Sequence, residues 1–284
     1  MTEKISAYIP AYNAEKTIMY SLEALFKQSL QPSEIIVIND CSTDQTLKIL
    51  NNYKDRINII NNENNKGLGY CRNLALKTSQ NKFVASIDSD VIPEQDWLKK
   101  LYSRITGNHI IYCGAKLLEK NINDSIYNNW RSVHLSQNWG EKDIKNPPFI
   151  FGCNNLINKD IWLKVGGYDP NLKTNGEDVD FCRKLSEKNL TTYYESSAIC
   201  YHLQDDNLKT LSMRYWRYRT YGYKIKNFSL IKFIKLSIKE IKMTLNRILI
   251  DLKKKKYNLL TLEFKIFARF VNYEFKKTIN SRLI

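Results

Sequence analysis

The chain has 284 residues, of which 43% are hydrophobic and 26% are charged. This length suits one large domain or a domain with an appendage, and the composition excludes a wholly disordered or fibrous protein. The formal net charge of +15 indicates an anionic partner such as nucleic acid, phospholipid or a phosphorylated ligand.

This charge is distributed unevenly along the chain. Residues 1–204 carry 24 Lys and Arg against 23 Asp and Glu, a net charge of +1, whereas residues 205–284 carry 20 against 6, a net charge of +14. We therefore divide the chain into a body, 1–204, and a basic tail, 205–284. No long apolar run precedes Pro10, so we predict no secretory signal. Purely apolar stretches along the chain are only a few residues long, so we also predict no membrane-spanning segment. Six scattered cysteines without a CxxC pair favour reduced thiols and a cytoplasmic protein.

The beginning of the body alternates between strand and helix patterns. Short apolar runs predict strands at residues 5–9, 34–38, 57–60 and 83–87. Apolar residues at helical spacing predict helices between them, at residues 17–28, 44–53 and 67–78. This order predicts a doubly wound, mostly parallel α/β sheet flanked by helices, whose ligand site lies beyond the carboxyl ends of the strands.

The rest of the body continues this pattern around one polar insertion. We predict helices at 97–102, 159–165 and 177–188, and strands at 110–115, 149–157, 191–194 and 198–202. We interpret the polar residues 121–145 as a mobile insertion. Its Trp130 and Trp139 would either stack on a sugar or lipid or cover an edge of the sheet.

Several predicted strands end in polar residues. Residues 10–13 follow the first strand, residues 39–42 the second, and residues 88–90 the fourth. The carboxyl ends of parallel strands share one edge of the sheet, where we expect a nucleotide to lie. Asp88 and Asp90 can both reach one divalent cation, which would keep positions open for phosphate oxygens.

Six segments of the body resemble the successive signatures of family 2 glycosyltransferases. They are YIPAYN at 8–13, VINDCSTD at 37–44, KGLGYCRNLAL at 66–76, IDSD at 87–90, GCNNLINKDIWLKVGGYD at 152–169 and GEDVDFCRKL at 176–185. The resemblance covers about residues 4–203. It implies the GT-A fold, a nucleotide-sugar donor, Mg²⁺ or Mn²⁺ as cofactor, and inversion at the anomeric carbon.

The resemblance implies a donor site at the strand ends. It places Pro10, Tyr12 and Glu15 in the nucleotide pocket, and it makes Asp40 a hydrogen-bond acceptor for the base, which a carboxylate can be. The other donor-contacting residues that it implies are Lys66, Gly67, Arg72, Asn73, Asp88, Ser89 and Asn154. An exposed cation on the surface of a helix is the alternative interpretation of Arg72.

The resemblance also implies a metal site. Its expected ligands are Asp88, Asp90 and His202, and an ordinary histidine at the end of a strand is the alternative for His202. A cation at this site would stabilise the charge that develops on the leaving diphosphate.

Glu177 and Asp178 match the acidic pair of the family. We expect Asp178 to be the general base and Glu177 to position the acceptor or support the loop. Thr174 or Asn175 would cap their helix, whose dipole favours ionised carboxylates in the first turn. The alternative is that both acids only bind backbone N–H groups of that turn.

The tail contains two amphipathic patterns. One apolar stripe at steps of three and four consists of Leu230, Ile231, Ile234, Ile238, Ile241, Leu245, Ile248, Leu249 and Leu252. A second stripe consists of Leu260, Phe264, Phe267, Val271, Phe275 and Ile279. Lysines flank the first stripe at 232, 235, 239 and 242. Such faces favour an anionic membrane surface, while packing within the protein and binding to nucleic acid are the alternatives.

These patterns together predict an inverting glycosyltransferase. It would transfer a sugar from a nucleotide-diphosphate donor, with UDP favoured, to a hydroxyl of a glycan or lipid-linked acceptor. We expect it to be cytoplasmic and peripheral on the inner face of the cell membrane, and we do not expect nucleic acid as a partner. The alternative from another class is a non-catalytic nucleotide-binding module that its basic tail recruits to membrane or RNA.

Overall fold

The structure, a computed structural model, describes residues 3–107, 110–120, 125–220 and 230–280. It contains two compact units, residues 1–120 with 137–204 and residues 121–136 with 205–284. We call the first the sheet unit and the second the helical unit. They differ from the predicted body and tail by the segment 121–136, which belongs to the helical unit.

One mixed sheet forms the centre of the sheet unit. Its strands in the described residues are β1 Ile5–Ala11, β2 Glu34–Asn39, β3 Asn58–Asn61, β4 Phe83–Ile87, β5 Val91–Pro93, β6 Tyr112–Glu119, β7 Ile144–Lys145, β8 Asn154–Asn158 and β9 Thr192–His202. Their order is β3-β2-β1-β4-β8-β6-β9-β5, and β7 pairs with β9. Neighbouring strands from β3 to β4 are parallel, whereas β8 is antiparallel to β4 and β6.

Helices connect these strands and form the helical unit. They are α1 Ile18–Phe26, α2 Thr46–Asn51, α3 Leu68–Thr78, α4 Trp97–Gly107, α5 Ile126–His134, α6 Lys159–Val165, α7 Glu177–Glu187, α8 Leu208–Thr220, α9 Leu230–Lys253 and α10 Leu260–Asn280. Of these, α5, α8, α9 and α10 belong to the helical unit. The predicted mostly parallel α/β sheet flanked by helices is confirmed.

Both faces of the sheet are buried. In β2, Ile35 and Val37 pack into the core on one face, whereas Ile36 and Ile38 pack into the core on the other. A strand that is buried on both faces has no polar side to alternate with its apolar side. This is the reason why residues 34–38 form an almost continuous apolar run.

The predicted mobile insertion contains regular structure. Ser125 caps α5, since its hydroxyl oxygen accepts a hydrogen bond from the backbone N–H of Tyr127 at 3.3 Å. Strand β7 pairs antiparallel with β9. The prediction was wrong because the polar side chains of this segment obscured a capped amphipathic helix.

The two tryptophans of this segment pack within the chain. Trp130 is fully buried in the core of the helical unit. Trp139 packs against the rings of Phe149 and Phe151 in the sheet unit, and its indole N–H donates to the Phe149 carbonyl at 2.8 Å. Neither predicted role applies to Trp130, which lies in the core of a different unit from the sheet. Trp139 packs on residues of the sheet unit, which agrees better with the second interpretation than with stacking on a ligand.

The face of α10 that is buried in the helical unit is not the apolar stripe predicted from the sequence. Leu262, Ile266 and Phe270 lie in its core, whereas Phe264 and Phe275 are exposed. Residue 279 lies outside the residues whose side chains are described. Among the described residues, no helix has the length and apolar character that a bilayer span requires.

Candidate active site

The loops that follow β1 and β2 are joined at one edge of the sheet. The backbone N–H of Asp40 donates to the Ala11 carbonyl at 2.8 Å. The backbone N–H of Asn13 donates to the hydroxyl of Ser42 at 3.0 Å, and its side-chain carbonyl accepts from the Thr43 N–H at 2.8 Å. The structure therefore brings together the polar residues of these two strand ends.

Asp40 organises the loop that precedes α3. Its buried carboxylate accepts hydrogen bonds from the Asn62 amide at 2.7 Å and from the backbone N–H groups of Lys66 and Gly67 at 2.9 and 2.8 Å. Gly67 has φ +89°, and a Cβ there would lie 2.6 Å from the Lys173 Cα, so only glycine suits this position. These contacts give Asp40 a structural task that differs from the predicted contact with the base.

The three residues predicted to line the nucleotide pocket differ in accessibility. Pro10 is buried in β1, beside Ile38 of β2. Tyr12 is 52% exposed. Glu15 is also exposed, and its carboxylate accepts from the backbone N–H of Gln45 at 3.0 Å. Of these three residues, Tyr12 and Glu15 therefore have side chains that a ligand can reach.

Arg72 of α3 is the buried cation of the site, and it is only 1% exposed. Its guanidinium donates to Asp88 at 3.0 Å, to Glu177 at 3.2 Å and to the Ser86 hydroxyl at 2.9 Å. Gly152 leaves space for it, since a Cβ there would lie 2.9 Å from a guanidinium nitrogen. The alternative of an exposed helix-surface cation is wrong. The arrangement also differs from the predicted direct contact with the donor, because the Arg72 guanidinium binds the carboxylates of Asp88 and Glu177.

Asn73 and Asn154 have their side chains directed into the protein. The Asn73 side-chain carbonyl accepts from the Trp162 indole at 3.0 Å and from the Tyr168 N–H at 2.9 Å, and its amide donates to the Tyr168 carbonyl at 2.8 Å. Asn154 is fully buried, and its side-chain amide makes no hydrogen bond within the described residues. The polar atoms of the Asn73 side chain are thus occupied by internal hydrogen bonds, which differs from its predicted donor contact. The predicted donor contact of Asn154 stays a prediction.

The helix that carries the acidic pair begins at an unexpected residue. Gly176, with φ +85°, is the N-cap of α7, and no side chain caps the helix. The prediction of Thr174 or Asn175 as the cap was therefore wrong. Glu177 is buried against Arg72. The alternative that both acids only bind the first turn is thus wrong for Glu177.

Asp178 is the accessible member of the pair. Its side chain is partly exposed, and its two carboxylate oxygens accept from the backbone N–H groups of Gly152 at 3.0 Å and Val179 at 2.8 Å. These two bonds fix the orientation of the carboxylate and leave further lone pairs for a ligand.

The pKa values of the pair follow from burial. Burial raises the pKa of Glu177 to about 7, the charge of Asp178 adds to this effect, and Arg72 opposes it. Burial also raises the pKa of Asp178, while the Gly152 N–H and Arg72 partly offset the increase. A carboxylate with a raised pKa accepts protons more readily near neutral pH than an ordinary one.

Two of the three predicted metal ligands face each other. The His202 Nε2 lies 3.2 Å from the Asp90 carboxylate. Asp88 directs one oxygen to Arg72, and its side chain is 27% exposed. Asp88, Asp90 and His202 do not form a compact group of three ligand atoms. In the described part of the chain, the group that does consists of His134, Asp251 and Glu263 in the helical unit.

Glu119, which the sequence patterns did not identify, holds the other side of the His202 ring. Its carboxylate lies 3.1 Å from the Nδ1 of His202. Burial lowers the pKa of His202, but Asp90 and Glu119 outweigh it and raise this pKa to about 9. Strand β6 continues four residues beyond the predicted end at Ala115, which places Glu119 beside His202 in the register of β6 and β9. Only a correct end of β6 would have revealed it.

The same fold occurs in solved glycosyltransferases. The mannosyltransferase PcManGT from Pyrobaculum calidifontis, in complex with GDP-Man and Mn²⁺, has a TM-score of 0.66, with 13% identity over 98% of this chain and 88% of that one. Staphylococcus aureus TarS 1–349, in complex with UDP-GlcNAc, has a TM-score of 0.59, with 22% identity over 74% of this chain and 66% of that one. These similarities show that the sheet unit has the GT-A fold.

Sequence comparison adds the family. Residues 6–168 match the family model of glycosyl transferase family 2, which is more than half of the 284-residue chain. The chain therefore belongs to glycosyl transferase family 2.

Individual relatives match a shorter region. Poly(ribitol-phosphate) beta-N-acetylglucosaminyltransferase TarS of Staphylococcus aureus is 38% identical over 111 residues, which is 37% of this chain and 19% of TarS. The Escherichia coli UDP-Glc:alpha-D-GlcNAc-diphosphoundecaprenol beta-1,3-glucosyltransferase WfgD is 37% identical over 109 residues, which is 38% of this chain and 43% of WfgD. The matched region is thus less than half the length of either relative.

Proposed function

We propose that this protein transfers a sugar, with inversion, from a nucleotide-diphosphate donor to a hydroxyl of a glycan or lipid-linked acceptor. Membership of glycosyl transferase family 2 supports the transfer reaction. TarS was solved with UDP-GlcNAc, and WfgD is named for a UDP-glucose donor and a diphosphoundecaprenol-linked acceptor. These relatives support UDP as the nucleotide and a lipid-linked acceptor.

The observation that carries the proposal is the position of Arg72 between two acidic groups. One buried guanidinium binds Asp88, which belongs to the proposed donor side, and Glu177, which precedes the proposed base. Because both ion pairs share this cation, the spacing between the two sides of the site is fixed before a substrate binds. Such preorganisation lowers the cost of aligning two reactants.

Asp178 is the proposed base. As the acceptor hydroxyl oxygen forms its bond to the anomeric carbon, its proton passes to Asp178, and the bond between that carbon and the diphosphate oxygen breaks. The nucleoside diphosphate leaves with the bonding electron pair. The partial exposure of Asp178 gives it access to an acceptor, whereas the burial of Glu177 restricts that residue to positioning through Arg72.

Asp88, Asp90 and His202 are the residues that would hold Mg²⁺ or Mn²⁺. Carboxylates such as those of Asp88 and Asp90 are the ligands that suit Mg²⁺ and Mn²⁺, and the His202 imidazole, 3.2 Å from Asp90, would add a nitrogen ligand. Glu119 behind the imidazole resembles the carboxylate that commonly orients a metal-binding histidine. When bound, the cation supplies positive charge that stabilises the leaving diphosphate.

Donor binding would involve the accessible side chains at the same edge. Tyr12, Glu15, Lys66 and Ser89 are exposed or partly exposed there. We assign to the buried Pro10, Asp40 and Gly67 the role of shaping the donor pocket. Arg72 and Asn73 would hold the elements around the pocket in place without contacting the donor, whereas the donor contact of Asn154 stays a prediction.

We place this reaction in the cytoplasm, at the inner face of the cell membrane. The net charge of +14 on residues 205–284 supports an anionic surface as the partner. A peripheral location would bring the enzyme to a lipid-linked acceptor without a spanning helix. Nucleic acid is not part of the proposal, because a phosphate-binding groove does not require the apolar stripes of this region.

A screen of nucleotide sugars with Mn²⁺ or Mg²⁺ tests the proposal by measuring nucleoside diphosphate release. We expect release from at least one UDP-sugar, and we expect Asp90→Ala to abolish it. Asp96→Ala is a matched control, since Asp96 pairs with Lys100 on α4 and should leave turnover unchanged. Binding of the donor without release, over a range of acceptors, would instead support a non-catalytic nucleotide-binding module.

A further inference from the structure

Helix α9 has its polar and apolar faces reversed with respect to an ordinary helix of a soluble protein. The residues that it buries are Leu236, Glu240, Thr244, Arg247 and Asp251. The residues that it exposes by 42% to 65% include Ile231, Ile234, Ile238, Ile241, Leu245, Leu249 and Leu252. At about 100° per residue, the two sets occupy separate sectors of the helix surface whose centres are about 140° apart. Water thus meets the aliphatic face, and the core of the unit meets the charged face.

Ion pairs hold α9 in this orientation. Arg247 donates to Glu240 at 3.1 Å, to Glu263 of α10 at 2.7 Å and to the Thr244 hydroxyl at 2.9 Å. The Tyr215 hydroxyl of α8 donates to Glu240 at 2.5 Å. Rotation of α9 that buried its aliphatic face would carry Arg247 and Glu240 away together and would leave the buried Glu263 of α10 without its guanidinium partner, which is strongly destabilising. The exposed aliphatic face is therefore built into the fold of the helical unit.

The charges beside this face indicate what covers it. Lys235 and Lys242 are exposed, each one residue after an outward isoleucine, and four consecutive lysines follow at 253–256. A second copy of this chain would bring another region of +14 charge against the first, which charge repulsion disfavours. Nucleic acid would satisfy the lysines but would leave the aliphatic side chains in water. An anionic lipid surface satisfies both groups, because acyl chains accept the aliphatic residues and headgroups attract the lysines.

We propose that α9 lies in the interface of an anionic membrane, with its aliphatic face in the acyl region and Lys235 and Lys242 at the headgroups. This proposal rests on the peripheral membrane location given above and assigns a surface to it. It does not depend on catalysis, because the face belongs entirely to the helical unit.

Vesicle flotation of the full chain tests this assignment. Phosphatidylcholine vesicles with and without phosphatidylglycerol would be compared for the unchanged chain and for the double variant Leu245→Ser/Leu249→Ser. We expect the unchanged chain to float with the anionic vesicles and the variant to bind about tenfold or more weakly, because two aliphatic side chains are lost from the acyl region. Leu163→Ser is the matched control, since Leu163 of α6 is 61% exposed in the sheet unit.

A second pair of variants tests the charge. Lys235→Gln/Lys242→Gln should weaken binding to the anionic vesicles severalfold. Added salt should still weaken the binding of this variant, but less steeply than that of the unchanged chain. Lys48→Gln/Lys77→Gln, at exposed positions of the sheet unit, should leave binding unchanged. Equal binding to vesicles with and without phosphatidylglycerol would overturn the anionic assignment.

Two further outcomes would overturn the proposal. The first is flotation of Leu245→Ser/Leu249→Ser at the level of the unchanged chain. If that variant instead converted a lipid-free dimer into a monomer in sedimentation velocity, the face would be an interface between copies. Thermal unfolding of each variant checks that the fold is retained, and nucleoside diphosphate release by the same variants separates a failure here from a failure of the proposed reaction.

Discussion

The two units each bury an arginine between two carboxylates, but the surroundings of these carboxylates differ. Arg72 of the sheet unit binds Asp88, whose side chain is 27% exposed at the edge of the sheet. Arg247 of the helical unit binds Glu240 and Glu263, which are both buried. The same interaction thus supports a ligand-accessible edge in one unit and a closed core in the other.

This difference separates the charges to which we assign a proposed chemical role from the charges that fix the architecture of the helical unit. In the sheet unit, apolar residues fill the interior, and polar residues gather where strands end. In the helical unit, charged residues fix the orientation of α9 and its aliphatic residues remain outside. Four predictions test this contrast.

The largest expected effect is that of Asp178→Asn. Loss of the base should lower nucleoside diphosphate release by roughly 100- to 10,000-fold, because a positioned general base contributes that much. Asp180→Asn is the matched control on the same helix, where Asp180 pairs with Arg183 and Lys184, and it should retain turnover. Similar rates for all three proteins would show that the accessible acid is not the base.

The two arginines should separate stability from turnover. Arg247→Met should cost roughly 3–5 kcal/mol of unfolding free energy, because two carboxylates remain buried without their partner, and it should spare turnover under native conditions. Arg72→Met should be destabilising to a similar extent and should also reduce turnover at least tenfold. Urea denaturation and diphosphate release measure the two effects, with the 57% exposed Arg183 replaced by Met as the control. Equal loss of turnover in both arginine variants would remove the contrast.

The carboxylate behind His202 should affect the metal rather than the fold. Glu119→Gln should weaken the binding of Mn²⁺ by about 10- to 100-fold, because the partner of a metal-binding histidine sets the basicity and orientation of its ring. Titration calorimetry and the Mn²⁺ concentration for half-maximal turnover would measure this. Glu141→Gln, at an 85% exposed position, serves as the control. An unchanged Mn²⁺ requirement would argue against His202 as a ligand.

The smallest expected effect is a pH dependence of stability. The pKa of Glu177 is about 7 in the folded chain and 4.5 ordinarily, so between these values the folded state keeps a proton that the unfolded state has lost. The contribution of Glu177 to stability should therefore fall as pH rises from about 4.5 to 7. In urea denaturation, Glu177→Gln should flatten this decline. A decline of the same slope in the variant would assign it to other groups.

Much of the secondary structure of the sheet unit was predictable, because each strand is indicated by a short run of residues that are adjacent in sequence. Residues 83–87 are apolar apart from Ser86 and form β4 within the predicted limits, since a strand buried on both faces requires a nearly continuous apolar run. The structure of the polar segment 121–145 and the end of β6 were harder to predict. Glu119 lies in the part of β6 that pairs with β9, and such pairing depends on residues far apart in sequence.

The candidate site was predictable in its location but only partly in its individual contacts. Residue motifs brought Asp88, Asp90, Asp178 and His202 into consideration, and each lies in a loop or at an element end as expected. The roles predicted for Asn73 and Arg72 differ from their contacts, because an amide or a guanidinium can bind a substrate or a protein group equally well. Only the position of the partners distinguishes these possibilities.

The sequence by itself determined the alternation of strands and helices, the family, and the presence of an aliphatic stripe with lysines beside it. Only the tertiary structure decided that the stripe of α9 faces outward while Glu240, Arg247 and Asp251 face inward. The periodicity of a helix defines two opposite faces but does not state which of them is buried. That choice depends on the polar and charged partners that the neighbouring helices supply, among them Tyr215 and Glu263.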